Sequence, residues 1–142
     1  MMEVRTIPLE LTTSDRDDIV DITGEVARAL EESGLEAGTA TVFVPGSTVA
    51  VTTIEHEPGV IADLRDAIER AVPRGIPYAH DAAWGDGNGH SHVRAAWIGP
   101  SLAVPFEGGR LLLGTWQQIV FCDFDNRARK RRLIVQIMGV RA

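Results

Sequence analysis

"GHSHVRAAWIG", residues 89–99, is the stretch on which the reading of the fold turns. His90, His92 and Arg94 recur at every second position, with Ser91, Val93, Ala95 and Trp97 between them. Residues two apart on a strand share a face. An extended reading therefore puts two imidazoles and a guanidinium on one side and a mostly apolar row on the other. Gly-Asn-Gly precedes the stretch and Gly99-Pro100 follows it, and both are turn-forming. With this segment as a strand, the second half of the chain reads as short strands at 90–98, 101–105, 110–113, 115–123 and 132–139. Hairpin-type turns fall at Glu107-Gly108-Gly109 and Asp125-Asn126, and the loop 73–89 comes before the first strand.

The first half supplies the helices. Residues 4–11 alternate as a strand does. Ser14 with Asp17 resembles a capping box opening a helix whose apolar face is Ile19, Ile22, Val26 and Leu30, with Gly34 as the stop. Gly24 weakens that helix by about 1 kcal/mol relative to Ala. Strands at 39–44 and 49–54 flank Pro45-Gly46-Ser47. Pro58 suits the first turn of a second helix, with Ile61, Leu64, Ile68 and Val72 facing the core and Pro73 ending it. The expected fold is α+β, a largely antiparallel sheet with two helices packed on it, in a single domain spanning 1–142.

At 142 residues the chain is long enough to bury a real core. Its 14 basic and 20 acidic residues give a net charge of −6, which argues against general nucleic-acid binding. Cys122 is the only cysteine, so no intramolecular disulfide forms, as suits a reducing cytoplasm. The N-terminus lacks the apolar block of a signal peptide. No apolar run approaches the roughly 20 residues of a membrane span. The expectation is a cytoplasmic protein with no membrane and no nucleic-acid partner.

Three of the four histidines lie between residues 80 and 92. Two imidazoles on one strand face plus His80 from a glycine-rich loop make a three-nitrogen site for a divalent metal. Zinc is the expected ion, at about 2.0–2.1 Å from each nitrogen with a fourth position open. Asp86 is a further ligand or an acceptor that orients an imidazole, and Asn88 lies in the same loop. His-x-His pairs also occur as half-exposed strand residues with no ligand, so that alternative stands. Gly46-Ser47-Thr48 forms a turn whose amides and hydroxyls can hold a phosphate or simply reverse the chain. It lacks the Gly-Lys-Ser/Thr signature of a P-loop. Arg94 and "RARKRR", residues 127–132, offer positive charge to a phosphate, to a neighbouring subunit, or only to solvent. Trp116 is a core or interface residue, and Gln117 or Gln118 can read a polar ligand. His56, between Glu55 and Glu57, reads as a surface residue.

"PGSTVAVTTIEHEPG" (45–59), "YAH" (78–80), "DGNGHSHVRAAWIGPSLAVPFEGGRLLLGTWQQIVFCDFDN" (86–126) and "RRLIVQIMG" (131–139) together resemble the YjbQ-like family, described as secondary thiamine-phosphate synthases. The resemblance implies a curled, barrel-like sheet, a homotrimer, and a cleft near subunit contacts lined by the histidines and the Gly-Thr-Trp-Gln segment. It implies functional histidines at His80 and His92, and a glutamate at Glu55. With Asp86, Glu55 is a candidate catalytic carboxylate. Many members carry a histidine where this chain has Gly46, and His90 is the candidate replacement. The candidate ligand is a phosphorylated small molecule, with Ser47, Thr48, Asn88, Arg94, Trp116 and Gln117 as the candidate residues to bind it. Three functions stay open: a metal-dependent enzyme with thiamine-phosphate synthesis as a side activity, a metal-dependent hydrolase, and a non-catalytic trimeric binding protein.

Overall fold

The computed structural model describes residues 1–14 and 17–142. Two antiparallel sheets, curled as a half-barrel, carry four helices among the described residues. The larger sheet joins β1 (Glu3–Thr12), β8 (Lys130–Val140), β3 (Ala37–Phe43), β5 (Ser101–Glu107) and β6 (Arg110–Leu111), in that order. The smaller has β7 (Gln118–Asp123) between β2 (Asp18–Asp21) and β4 (Val49–Ile54). The α+β expectation holds. No helix among the described residues is long and apolar enough to cross a membrane.

β7 organises the interior because both of its faces are buried. Ile119 and Phe121 join a core with Val42, Leu133 and Val135, capped by Val26, Ala29 and Leu30 of α1 (Thr23–Ser33). Val120 and Cys122 point the other way, joining Phe124, Ile61 and Ile68 beneath α2 (Pro58–Ala71). A strand covered on both faces reads as an unbroken apolar run, as Ile119 to Cys122 does. Each fully buried side chain of this size contributes about 1.5–3 kcal/mol relative to an exposed one. α2 starts as expected: Pro58 occupies its first turn, and the Glu57 carboxylate accepts the N–H groups of Gly59 and Val60 at 2.8 and 2.9 Å.

The first helix begins later than expected. The capping segment 14–17 includes residues 15 and 16, which lie outside the described residues. Beyond it, Asp18–Asp21 is strand, and Ile19 pairs with Cys122. Tertiary pairing with β7 overrides the helical spacing there, and α1 starts only at Thr23. Gly34 ends it in the left-handed conformation, φ 68°, as a C-terminal glycine does.

The decisive correction concerns 89–99. Residues 89–98 are not a strand but a helix, α4 (Gly89–Ile98), preceded by α3 (Ala79–Trp84) inside the expected loop. The signal was helical after all. His90, Ser91, Arg94 and Ala95 are buried, the i, i+1, i+4, i+5 set of one helix face. Val93 and Trp97, expected in the core, are instead 46% and 61% exposed. The Asp81 carboxylate accepts the Gly89 N–H at 2.9 Å and so satisfies one orphan donor of the new helix.

Candidate functional site

Helical geometry separates the histidines. Neighbours at i and i+2 lie about 200° apart around a helix of 3.6 residues per turn, so His90 and His92 face different ways. His90 turns inward, buried near Tyr78, with ring centroids 6.4 Å apart. Burial first, and then the positive charges of Arg94 and Arg74, hold its pKa below the usual imidazole value. His92 turns toward α3, where its ring lies 4.5 Å from that of His80, tilted by 54°. His80 Nε2 is 3.7 Å from Asp86 Oδ2. That nitrogen is buried without a hydrogen-bond partner among the described residues.

The expected three-histidine centre therefore does not assemble within the chain, because His90 points away from the other two. Among the described residues no three His, Cys, Asp or Glu side chains are grouped to hold a metal ion. The three-nitrogen set expected for the ion is thus not assembled, and no step below is routed through it.

Two cavities open in this region, one at His92 and one at Asp86. One, of about 300 Å³, is lined by Gly46, Ser47, Val49, His92, Ala95, Ala96 and Pro100. It is thus His92, not His90, that stands beside Gly46. A Cβ added to Gly46 would lie 2.7 Å from Val49 Cγ2, so the backbone here does not take a larger side chain without shifting Val49. The second cavity, of about 270 Å³, is lined by Asp86, Asn88, Asn126 and Arg127. Asn126 Nδ2 donates to the Asp86 carbonyl at 3.0 Å and ties its two walls together. His80 is in the lining of neither cavity, but its ring lies 4.5 Å from that of His92 on the first and its Nε2 is 3.7 Å from Asp86 on the second.

Behind these cavities lies a buried polar cluster. Asp123 and Asp125 are 1% and 2% exposed. Arg131 donates to Asp123 at 2.8 Å and Arg129 to Asp125 at 2.8 Å. Thr48 donates to Asp125 at 3.4 Å and accepts from Arg131 at 2.9 Å. Asn88 Nδ2 donates to Asp125 at 3.4 Å. Burial alone would raise the Asp125 pKa. The Asn126 N–H, Asn88 and Arg129 together bring it below the ordinary carboxylate value, so it stays ionised.

A family model for UPF0047 proteins of the YjbQ-like type matches residues 7–140. The chain belongs to the YjbQ family. A relative in Methanothermobacter thermautotrophicus, a UPF0047 protein, is 41% identical over 97% of this chain and 94% of its own. YugU of Bacillus subtilis is 35% identical over 92% of this chain and 97% of its own. A YbjQ-like protein of unknown function from Sulfolobus solfataricus superposes with a TM-score of 0.93 at 31% identity, covering 98% of this chain and 99% of that one.

In this YjbQ-family chain, His80, His92, Asp86, Asn88 and Ser47 share one region. Thr48 lies behind it with its hydroxyl committed to Asp125 and Arg131. Arg94, expected to meet a ligand, is 2% exposed and committed elsewhere. It donates to the Val72 carbonyl at 3.0 Å, to Asp17 at 3.0 Å and to Glu69 at 2.5 Å, pinning α4 to the end of α2. Glu55, Trp116 and Gln117 sit at the far end of β4. Its register pairs Val49 with Asp123 but Ile54 with Gln118. Six residues of strand place Glu55 roughly 20 Å from the Thr48 end. There Gln117 Nε2 donates to Thr53 Oγ1 at 3.2 Å, and Trp116 is 72% exposed. His56 is exposed, as expected, with its Nε2 3.2 Å from the Ile19 carbonyl.

Sequence reasoning missed Asp123 and Asp125 as site residues and did not divide the basic run. The available signal was spacing. Asp123/Asp125 and Arg129/Arg131 each repeat at two residues, as partners on facing strand ends do.

Proposed function

We propose that this chain is a subunit of a homotrimeric, cytoplasmic enzyme acting on a phosphorylated small molecule, with His80 and His92 carrying the proton transfers. The observation behind this is the buried Nε2 of His80, which has no hydrogen-bond partner among the described residues and lies beside the imidazole of His92, itself on a cavity wall. A polar atom kept from water without a partner costs about 1–3 kcal/mol, a cost that a bound reactant offsets. Asp86 Oδ2 lies 3.7 Å from that nitrogen. Ser47, exposed on the His92 cavity, offers a hydroxyl to a polar substituent. Arg127, exposed and in no ion pair among the described residues, offers its planar fork to a phosphate. Joining a pyrimidine pyrophosphate to a thiazole phosphate suits such a site as a side reaction, since the departing pyrophosphate needs positive charge. The trimer is supported by apolar surface: Trp84, Trp97 and Trp116 are 75%, 61% and 72% exposed, with Val93 one turn from Trp97.

The test is incubation of the purified protein with pools of phosphorylated metabolites, read by mass spectrometry and joined by sedimentation. Wild type consumes a phosphorylated compound, and His80→Gln and His92→Gln each slow that turnover about 100-fold or more. Arg127→Ala raises KM. No consumption by wild type, or equal rates in the double histidine variant, overturns the enzymatic reading in favour of a binding protein. A monomer at micromolar concentration overturns the assembly.

A further inference from the structure

The Asn88 side chain has only one way to sit. Its Nδ2 donates to Asp125, an ionised carboxylate that also takes the Asn126 N–H at 2.8 Å and the Arg129 guanidinium. Turning the amide over would set its oxygen against that carboxylate, so Oδ1 must face away. Asn88 is 6% exposed, and its Oδ1 is buried with no donor among the described residues. Asn88 lines the same cavity as Asp86 and Arg127. The lining of that cavity thus includes a residue whose amide oxygen is unmatched and a carboxylate, both hydrogen-bond acceptors. Arg127, an obligate donor, stands on the wall made by the turn after β7.

We propose that Asn88 determines specificity in this cavity, its Oδ1 accepting an N–H from a ligand that carries both an amino or ammonium group and a phosphate. The amine lies between Asn88 Oδ1 and the Asp86 carboxylate, and the phosphate lies on Arg127. This rests on the phosphorylated-ligand reading above and narrows it to a zwitterionic class. An amide oxygen orphaned in a polar cavity rejects a ligand lacking the matching donor, because binding then seals the oxygen away from water without a partner.

The experiment is calorimetric titration of two probes differing by one group, O-phosphoethanolamine and ethyl phosphate, against wild-type protein and three variants. The expected result is at least tenfold tighter binding of O-phosphoethanolamine to wild type. That ratio falls toward one in Asn88→Ser and in Asp86→Asn. Arg127→Ala weakens both probes alike. Asp86 lies on an exposed loop, so its variant keeps the test decisive if Asn88→Ser does not fold. Equal affinity of the two probes for wild type overturns the amine assignment and leaves the phosphate reading standing. Failure of both probes to bind overturns both. A preserved ratio in folded Asn88→Ser removes Asn88 from the role.

Discussion

Replacing Arg94 by methionine separates a structural guanidinium from a ligand-binding one. Methionine keeps most of the apolar stem and deletes three interactions, to the Val72 carbonyl, Asp17 and Glu69. Removing one partner of a fully buried ion pair costs about 3–5 kcal/mol, but these survivors are not fully buried. The Asp17 and Glu69 side chains are 21% and 52% exposed, and Asp17 keeps Arg74 at 2.5 Å. Both carboxylates recover water, which reduces each pair to the roughly 0–1 kcal/mol of a surface bridge. The Val72 carbonyl, on a residue 7% exposed, loses its charged donor. That adds about 1–3 kcal/mol. The expected loss is about 3 kcal/mol, or a fall in Tm of roughly 6–12 °C for a chain of this size. Urea unfolding at fixed protein concentration reads the stability, and titration with ethyl phosphate reads the site. A stability change below about 1 kcal/mol together with a tenfold loss of phosphate affinity would refute the structural assignment and restore Arg94 to the ligand.

Three other outcomes follow from the same structure. A Cβ on Gly89 would lie 2.5 Å from the Tyr78 Cβ, so Gly89→Ala forces α3 and α4 apart. It should cost about 1–3 kcal/mol by overpacking, seen as a lower urea midpoint. The lowered pKa of His90 means the unfolded chain binds a proton before the folded one does. Stability should therefore decline as pH drops below about 6.5, and His90→Gln should flatten that slope in denaturation series from pH 7.5 to 5. Burial pushes the Cys122 thiol up to about 12. Alkylation by iodoacetamide at pH 8 should thus proceed only in denaturant, and rapid labelling of native protein would contradict the packing of β7.

Much of the fold was legible because its determinants are local. Pro58 with the apolar set Ile61, Leu64 and Ile68 specifies α2, and the alternation of 132–139 specifies β8. Ile19 was misread because β-branched residues followed by a genuine helix continue its spacing by coincidence, and pairing with Cys122 decides the matter from about a hundred residues away. α4 was misread because His-x-His-x-Arg alternates in type while its burial follows the helical period. Here the alternation tracked apolar content as well as chemistry, and only the exposure of Val93 and Trp97 in the folded chain breaks the pattern. The gathering of His80, His92 and Asp86 was readable from their closeness in sequence. The enclosure of Asp125 by Thr48, Asn88 and Arg129 was not, because it draws on segments that only the sheets bring together.

The segment after β7 looks like a hydrophilic turn that should tolerate change, and the packing says otherwise. Arg129 and Arg131 are engaged with aspartates while Lys130 and Arg132 are exposed. A single inserted or deleted residue between 128 and 131 would exchange these two rows. Two carboxylates would then be stranded among apolar neighbours, and two arginines cast into water. Selection on this stretch should accordingly act on its length and parity more severely than on its overall charge, so that swaps among the outward basic residues pass freely while frame-preserving indels of one codon do not.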